Sequence, residues 1–157
     1  VRGNVLPEED RFALQKQRLA EQMSKESGLP AEQFLSPALA VEAGSPRRLV
    51  GHQLHVLKNE ELSDLEDRVR EDRQAKQQAE DKTAVKIVAY EQAWRHLAES
   101  VSVSESDLKQ LAMARASQIK TVLIEKHAVA PERVFVLDAA NGDSVPEAVA
   151  TLGLDAH

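Results

Sequence analysis

Apolar residues recur at spacings of three and four along residues 104–126, which is the pattern of one buried face on an α-helix. The members of this face are Leu108, Leu111, Ala112, Ile119, Val122 and Leu123. Ser104 followed by Asp107 is a capping-box variant, so we expect the helix to begin there. Beyond Pro131, the continuous apolar run Val134–Leu137 is typical of a short buried strand. This part of the chain therefore predicts a helix, a tight loop and a strand.

The start of the chain predicts a strand followed by a second helix. Residues 1–5 resemble the end of a strand, in which Gly3 marks a close approach of the backbone or a bend. Pro7 and the acidic residues after it suit a first helical turn. The helix is expected to stop near Ser27, because Gly28 is a natural left-handed cap.

The segment that follows predicts two short helices and then irregular structure. Ala31–Leu35 reads as a short helical turn, and Ser36–Pro37 restarts a helix that ends at Gly44. Leu49–Leu57 has no clean period, so we expect a loop that could include a short strand.

A longer helical pattern runs from Asn59, its expected cap, to about Glu99. The apolar seam fails between residues 70 and 83, where a solvated helix or a frayed linker fits. The pairs Asp64 with Arg68, Glu66 with Arg70 and Asp72 with Lys76 favour the helix. One continuous helix would be about 60 Å long, so part of it would project or pair with another chain. The seam returns with Ile87, Tyr90, Trp94 and Leu97, which could close on its own core or form a partner interface, including one with a second copy.

The end of the chain carries turn signals and one more helical pattern. The sequence Asn141-Gly142-Asp143 indicates a turn. We expect a short helix from Pro146 to Leu152 with Gly153 as its cap.

Composition narrows the classes of partner and compartment. The formal charge of −6 and a pI near 5.4 argue against nucleic acid, whose phosphates need a clustered basic face. The chain has no cysteine, and no apolar run approaches the roughly 20 residues needed to span a bilayer. It begins at Val1 without methionine, so we expect a piece of a longer protein whose localisation signals lie upstream.

Candidate catalytic and metal-binding residues give little support for chemistry. His52 and His55 are three residues apart with Glu60 and Glu61 nearby, and we interpret them as loop residues in preference to a metal site. The serines and glycines fit no nucleophile elbow, phosphate-binding loop or dinucleotide fingerprint. We therefore expect no catalytic activity, no metal and no cofactor.

Arg115 is the one charged residue within the apolar face of the helix after Ser104. A guanidinium there has a buried stem and a head that needs an acceptor, because an unpaired buried charge costs several kcal/mol. A structural ion pair, or a head that reaches water, is the first interpretation. Contact with a bound anion is the second.

Three stretches resemble the C-terminal region of the AsmA-like envelope proteins grouped as domain of unknown function 748. They are residues 1–14, Pro46–Gly51, and Val101–Ala116 continued by Ile119, Leu123 and Ala130–Phe135. Proteins of this group are anchored in the inner membrane of Gram-negative bacteria, reach into the periplasm and are associated with lipid transport and envelope integrity. The resemblance implies a periplasmic location.

The two ends of the chain are also similar to the outer-membrane protein A-like peptidoglycan-binding fold. Gly3 and Arg115-Ala116 match that pattern, which implies that Arg115 contacts a peptide carboxylate of peptidoglycan. The acidic residue that the pattern has shortly after the glycine is absent, and Leu6 stands near that place.

Together these resemblances imply a split arrangement in one domain, residues 1–157. A small sheet packed by two helices would form from residues 1–28 and 101–140, with residues 29–100 as a long helical insertion. We therefore expect a mainly helical α+β fold and a non-catalytic domain that serves docking or assembly. Its partner would be an envelope protein or the rest of its own longer chain. The alternative is a peptidoglycan-binding module that uses Arg115.

Overall fold

The computed structural model describes residues 1–141 and 150–151, and it confirms a mainly helical α+β fold. The described elements are β1 (Arg2–Val5), α1 (Pro7–Ser27), α2 (Ala31–Leu35), α3 (Pro37–Ala43), α4 (Ser45–Lys58), α5 (Leu62–Ala75), α6 (Lys82–Ala98), α7 (Glu105–His127), a 3-10 turn (Pro131–Arg133), β2 (Leu137–Asn141) and β3 (Ala150–Thr151). None of the described helices is long and apolar enough to cross a membrane.

The chain divides into two compact units. The first, here the sheet unit, contains residues 1–13 and the chain from Val103 onward; the second, the helical unit, is Leu14–Ser102. The predicted core of residues 1–28 and 101–140 differs from this division, because the boundary between the units falls within α1, after Ala13.

In the sheet unit, the two distant ends of the chain share a small sheet. Its strand order is β2-β1-β3, with β1 parallel to β2 and antiparallel to β3. The main-chain nitrogen of Val1 donates to the Phe135 carbonyl at 2.5 Å, and the Leu137 amide donates to the Val1 carbonyl at 2.8 Å. The buried strand predicted at Val134–Leu137 begins only at Leu137, because Val134 ends the 3-10 turn. The predicted burial is wrong for Phe135 and Leu137, which are exposed.

Helix α7 packs against the strands of this sheet. It begins at the predicted capping box, in which Asp107 N–H donates to the Ser104 hydroxyl and Ser104 N–H donates to the Asp107 carboxylate. Leu108, Ala112 and Ala116 form its buried face. Arg11 of α1 donates to the Val103 carbonyl and pairs with Glu105 at 2.8 Å, which fixes the start of α7.

The helical unit is built around an aromatic stack. Trp94 stacks with both Phe34 and Tyr90, with ring centroids 6.1 Å from each and nearly parallel planes. The Tyr90 hydroxyl donates to the Phe34 carbonyl at 2.7 Å. Burial raises the pKa of the Tyr90 hydroxyl above its ordinary value, so the group stays protonated and keeps this bond.

Replacing Tyr90 with phenylalanine is expected to destabilise the helical unit by about 1–2 kcal/mol. The ring stays buried, but the Phe34 carbonyl loses the donor that it has in the core. Urea unfolding followed by the fluorescence of Trp94, the only tryptophan, measures this loss. An unchanged unfolding midpoint would contradict the role given to this hydrogen bond.

Residues 45–58 correct two predictions. The expected loop at Leu49–Leu57 is helix α4, whose buried residues Pro46, Val50 and Leu54 are spaced four apart. Asn59 does not begin the next helix; it ends α4 in the left-handed conformation, with φ 52°. Helix α5 begins at Leu62 instead.

The expected helical run over residues 59–99 is two helices, α5 and α6, that pack against each other. The chain leaves α5 through Gln77, whose φ is 55°. Asp81 then starts α6 by accepting from the amides of Thr83 and Ala84. Of the predicted ion pairs, Asp72 with Lys76 is present at 2.9 Å, whereas Glu66 pairs with Arg47 and Arg70 pairs with Asp67.

Most of the residues for which a turn and a helix are predicted at the end of the chain lie outside the described residues. Asn141 is the last residue of β2, and the predicted turn beyond it, at residues 142–143, lies outside the described residues. Of the helix predicted from Pro146 to Leu152, only positions 150–151 are described. They form strand β3, so the prediction is wrong there.

Candidate functional site

Gly3 lies where β1 meets α7. A Cβ atom built on Gly3 would lie 1.7 Å from the carbonyl oxygen of Ala112, well inside van der Waals contact. The sequence prediction of a close approach at Gly3 is therefore confirmed. Its role in the described structure is to let strand and helix backbones touch.

Arg115 of α7 lies beside the end of β1 and the first turns of α1. Its Nη1 donates to Asp10 Oδ2 at 2.9 Å and to the Asn4 carbonyl at 3.0 Å, and its Nη2 donates to Asp10 Oδ1 at 2.6 Å. This two-bond arrangement is the strongest geometry for a guanidinium and a carboxylate. Arg115 thus forms the structural ion pair that the sequence analysis placed first.

Asp10 is the partner that sequence reasoning missed. Its side chain is 7% exposed, and it also accepts from the Leu6 amide at 2.7 Å. Asp10 lies one helical turn after Leu6 and supplies the carboxylate that Arg115 needs. The available signal was the need of Arg115 for a carboxylate, together with three adjacent acids at the start of α1.

Asp10 and Arg115 each stabilise the charged form of the other. Hydrogen bonding to Arg115 holds the pKa of Asp10 below its ordinary range, with a further contribution from the Leu6 amide, although burial opposes the shift. The bonds to Asp10 raise the pKa of Arg115. Both groups are therefore charged at neutral pH.

The sheet unit is expected to lose stability in acid through Asp10. Because the folded-state pKa of Asp10 is lowered, its contribution is complete above the unfolded-state pKa of about 3.9 and disappears as the pH falls through the lower folded value. Wild type should therefore lose more stability between about pH 5 and pH 2 than Asp10→Asn, which has no carboxyl group to titrate. Urea unfolding followed by circular dichroism across this range tests the expectation, and parallel curves for the two proteins would contradict it.

The arrangement around Arg115 suggests two kinds of role. As it stands, the ion pair joins β1, α1 and α7 and stabilises the sheet unit. The Arg115 side chain is 29% exposed, so its outer edge can meet a ligand. Asp10 is only 7% exposed, and both of its carboxylate oxygens already accept from Arg115.

Two histidines, His52 and His55, lie in a helix where a loop was predicted. His52 and His55 are exposed on α4, so they are helical and not loop residues. His55 Nδ1 lies 2.5 Å from Glu61, while His96 Nδ1 lies 3.1 Å from Glu60. Within the described part of the chain, no three His, Asp or Glu side chains are placed to hold one metal ion.

The residues proposed as a partner interface pack inside their own unit. Tyr90, Trp94 and Leu97 are at most 5% exposed, and Ile87 is half-buried. The seam therefore closes on its own core, and the prediction of an exposed interface at these three residues is corrected.

Exposed apolar side chains lie on other surfaces. In the sheet unit they are Met113, Val122, Phe135 and Leu137, and in the helical unit they are Leu35, Leu39, Val56 and Leu57. Phe135 is the most exposed of them, at 68%.

Comparison of the chain with protein-family models, curated proteins and solved structures found no match.

Proposed function

We propose that this chain is a non-catalytic docking or assembly domain of a periplasmic AsmA-like envelope protein anchored in the inner membrane. Its task would be linked to envelope integrity or lipid transport, with an envelope protein or the remainder of its own longer chain as partner. The observation that carries the proposal is the sheet unit itself. Residues 1–13 and 103–135, which carry most of the AsmA-like resemblance, lie in this one unit although about 90 residues separate them in sequence.

The residues with the strongest interactions support a docking role. Asp10 and Arg115 bind each other, and Gly3 and Arg115 contact the backbone of their own unit. The large apolar side chains that remain exposed in this unit include Phe135 and Leu137 beside β2. Exposed apolar side chains next to a strand edge are a common feature of protein-binding surfaces.

Deletion in the source bacterium tests the proposal. Removing the coding region for residues 1–157 should make the outer membrane more permeable, measured as sensitivity to a large hydrophilic antibiotic, and re-expression should restore the barrier. Lys76→Ala, which removes only one exposed ion pair, serves as the matched variant that should also restore it. An unchanged barrier, or recovery of the protein in the cytoplasmic fraction, would refute the proposed role.

A second candidate is a peptidoglycan-binding module that uses Arg115. The exposed part of the Arg115 side chain favours it, because a ligand carboxylate can reach the guanidinium from solvent. Sedimentation with purified peptidoglycan should then retain wild type. Retention should disappear in Asp10→Asn/Arg115→Met, which removes both charges and keeps the side-chain volumes similar.

The double variant separates binding from folding. If it keeps the wild-type circular dichroism spectrum but is no longer retained, the cell-wall module replaces the docking domain as the proposed function. If wild type is not retained, or the double variant is retained equally, peptidoglycan is not a ligand of this site.

A further inference from the structure

Strand β2 lies at one end of the sheet. It pairs with β1 on one side, and among the described strands none pairs with its other side. An edge strand of this kind presents backbone N–H and C=O groups that another extended chain can pair with. Among the described residues, β2 therefore offers a template for strand addition, although its register with β1 shifts between Arg2 and Asn4.

The segment that enters β2 alternates between buried and exposed side chains. Val134 is 6% exposed, whereas Phe135 is 68% exposed and Leu137 is 51% exposed. Side chains two residues apart on an extended chain point to the same side. Phe135 and Leu137 thus form one apolar surface next to the edge.

A cation lies beside this surface. Arg2 is exposed and is the partner of Leu137 across the β1–β2 ladder. The next residue, Gly3, faces Ala112 of α7, so the alternation of side chains places Arg2 on the opposite face of the sheet. We call Arg2, Phe135 and Leu137 the β2 edge surface.

We propose that the β2 edge surface binds an extended segment of a partner protein by strand addition, and that this segment carries apolar residues at alternate positions and an acidic residue on the same side. The backbone edge selects an extended polypeptide, Phe135 and Leu137 select apolar side chains, and Arg2 selects a carboxylate. This inference rests on the proposed docking function and specifies its surface and partner.

A synthetic peptide is the direct probe. We would use a capped ten-residue peptide with valine at two alternate positions, glutamate at the next alternate position on the same side, and threonine between them. A second peptide carries lysine in place of glutamate. A third has the original side chains with N-methyl groups on all internal backbone nitrogens, which removes the N–H donors of both strand edges.

Binding of these peptides to the full 157-residue chain is measured by isothermal titration calorimetry and amide chemical shifts. The glutamate peptide should bind, the lysine peptide more weakly, and the N-methylated peptide at least about tenfold more weakly. The largest shifts are expected at Leu137–Asn141. Absence of binding at millimolar peptide, or equal binding of the N-methylated peptide, would overturn the inference.

Two substitutions assign the binding to the edge. Phe135→Ser should weaken the glutamate peptide about tenfold, since exposed aromatic residues are frequent binding hot spots. Leu57→Ser is the matched control, because Leu57 is 60% exposed on α4 and should leave binding unchanged. Equal effects of the two substitutions would overturn the inference. A dimer of the chain that does not bind the peptide and that dissociates in Phe135→Ser would also overturn the inference, because a second copy of the chain would then occupy the edge.

The inference and the proposed function can fail separately. If deletion of residues 1–157 weakens the outer-membrane barrier but Phe135→Ser restores it as well as wild type does, docking uses another surface. If the peptide binds at the edge and the barrier never changes, strand addition stands and the envelope role fails.

Discussion

Gly3→Ala should disrupt the sheet unit, with an expected loss of about 3 kcal/mol or more in its free energy of unfolding. The added methyl group would lie 1.7 Å from the carbonyl oxygen of Ala112, and this neighbour is backbone that no side-chain rotation can move away. Either β1 leaves α7 or the helix shifts from the sheet. Both changes weaken the pairing of β1 with β2.

Hydrogen exchange at the amides of α7 and β1 is the appropriate measurement for Gly3→Ala. Trp94 belongs to the helical unit, so its fluorescence does not report directly on the sheet unit. The matched control is Gly51→Ala on α4, where the new Cβ would lie 3.4 Å from the Leu62 side chain, an ordinary contact. That substitution should be neutral or stabilise the protein by up to about 1 kcal/mol, because alanine is the better helix former. Equal exchange rates in Gly3→Ala and wild type would contradict the predicted clash.

Arg115→Met should cost about 3–5 kcal/mol in the stability of the same unit. Methionine fills the space of the arginine stem but leaves the Asp10 carboxylate buried with only the Leu6 amide as a described donor. The Asn4 carbonyl loses its guanidinium donor in the same change. Thermal and urea unfolding followed by circular dichroism measure the loss.

A double-mutant cycle isolates the ion pair. Asp10→Asn/Arg115→Met should be more stable than Arg115→Met alone, because a neutral amide is easier to bury and can still accept from Leu6. The exposed pair of Asp72 and Lys76 is the control, and Lys76→Ala should cost at most about 1 kcal/mol. If Arg115→Met cost no more than Lys76→Ala, the interpretation of the pair as structural would be wrong.

Local signals account for most of what the sequence predicted correctly. The capping box at Ser104 and Asp107, the end of α1 at Gly28 and the Ser36–Pro37 start of α3 each depend on contacts within about four residues. Such contacts are encoded by neighbours in the chain. The sequence could therefore place these boundaries without knowledge of the fold.

Some predictions were wrong because one residue type is favoured in two different local structures. Others were wrong because exposed apolar residues obscured the helical spacing of the buried ones. Asparagine favours both a helix start and the left-handed conformation, and Asn59 adopts the second. On α4, the exposed Val56 and Leu57 add apolar positions outside the buried face, so the four-residue spacing from Pro46 was obscured. Only the packing of the helical unit distinguishes these cases.

No local sequence signal identified Asp10 as the partner of Arg115. Asp10 and Arg115 are 105 residues apart, and each lies on a helix whose own pattern does not select the other. The sequence showed that Arg115 needs a carboxylate, but the chain offers 26 acidic residues. The choice among them is made by the parallel pairing of β1 with β2, which brings the start of α1 to α7.

The bond between Val1 and Phe135 joins residues 134 positions apart, and this distance has a consequence for synthesis on the ribosome. The helical unit has all its residues once Ser102 has emerged, whereas β1 must wait for α7 and β2. During that interval the first strand has no parallel partner and is open to aberrant pairing or to a chaperone. Within these residues, folding is therefore expected to begin in the helical unit, with the pairing of β1 and β2 as the later and slower step.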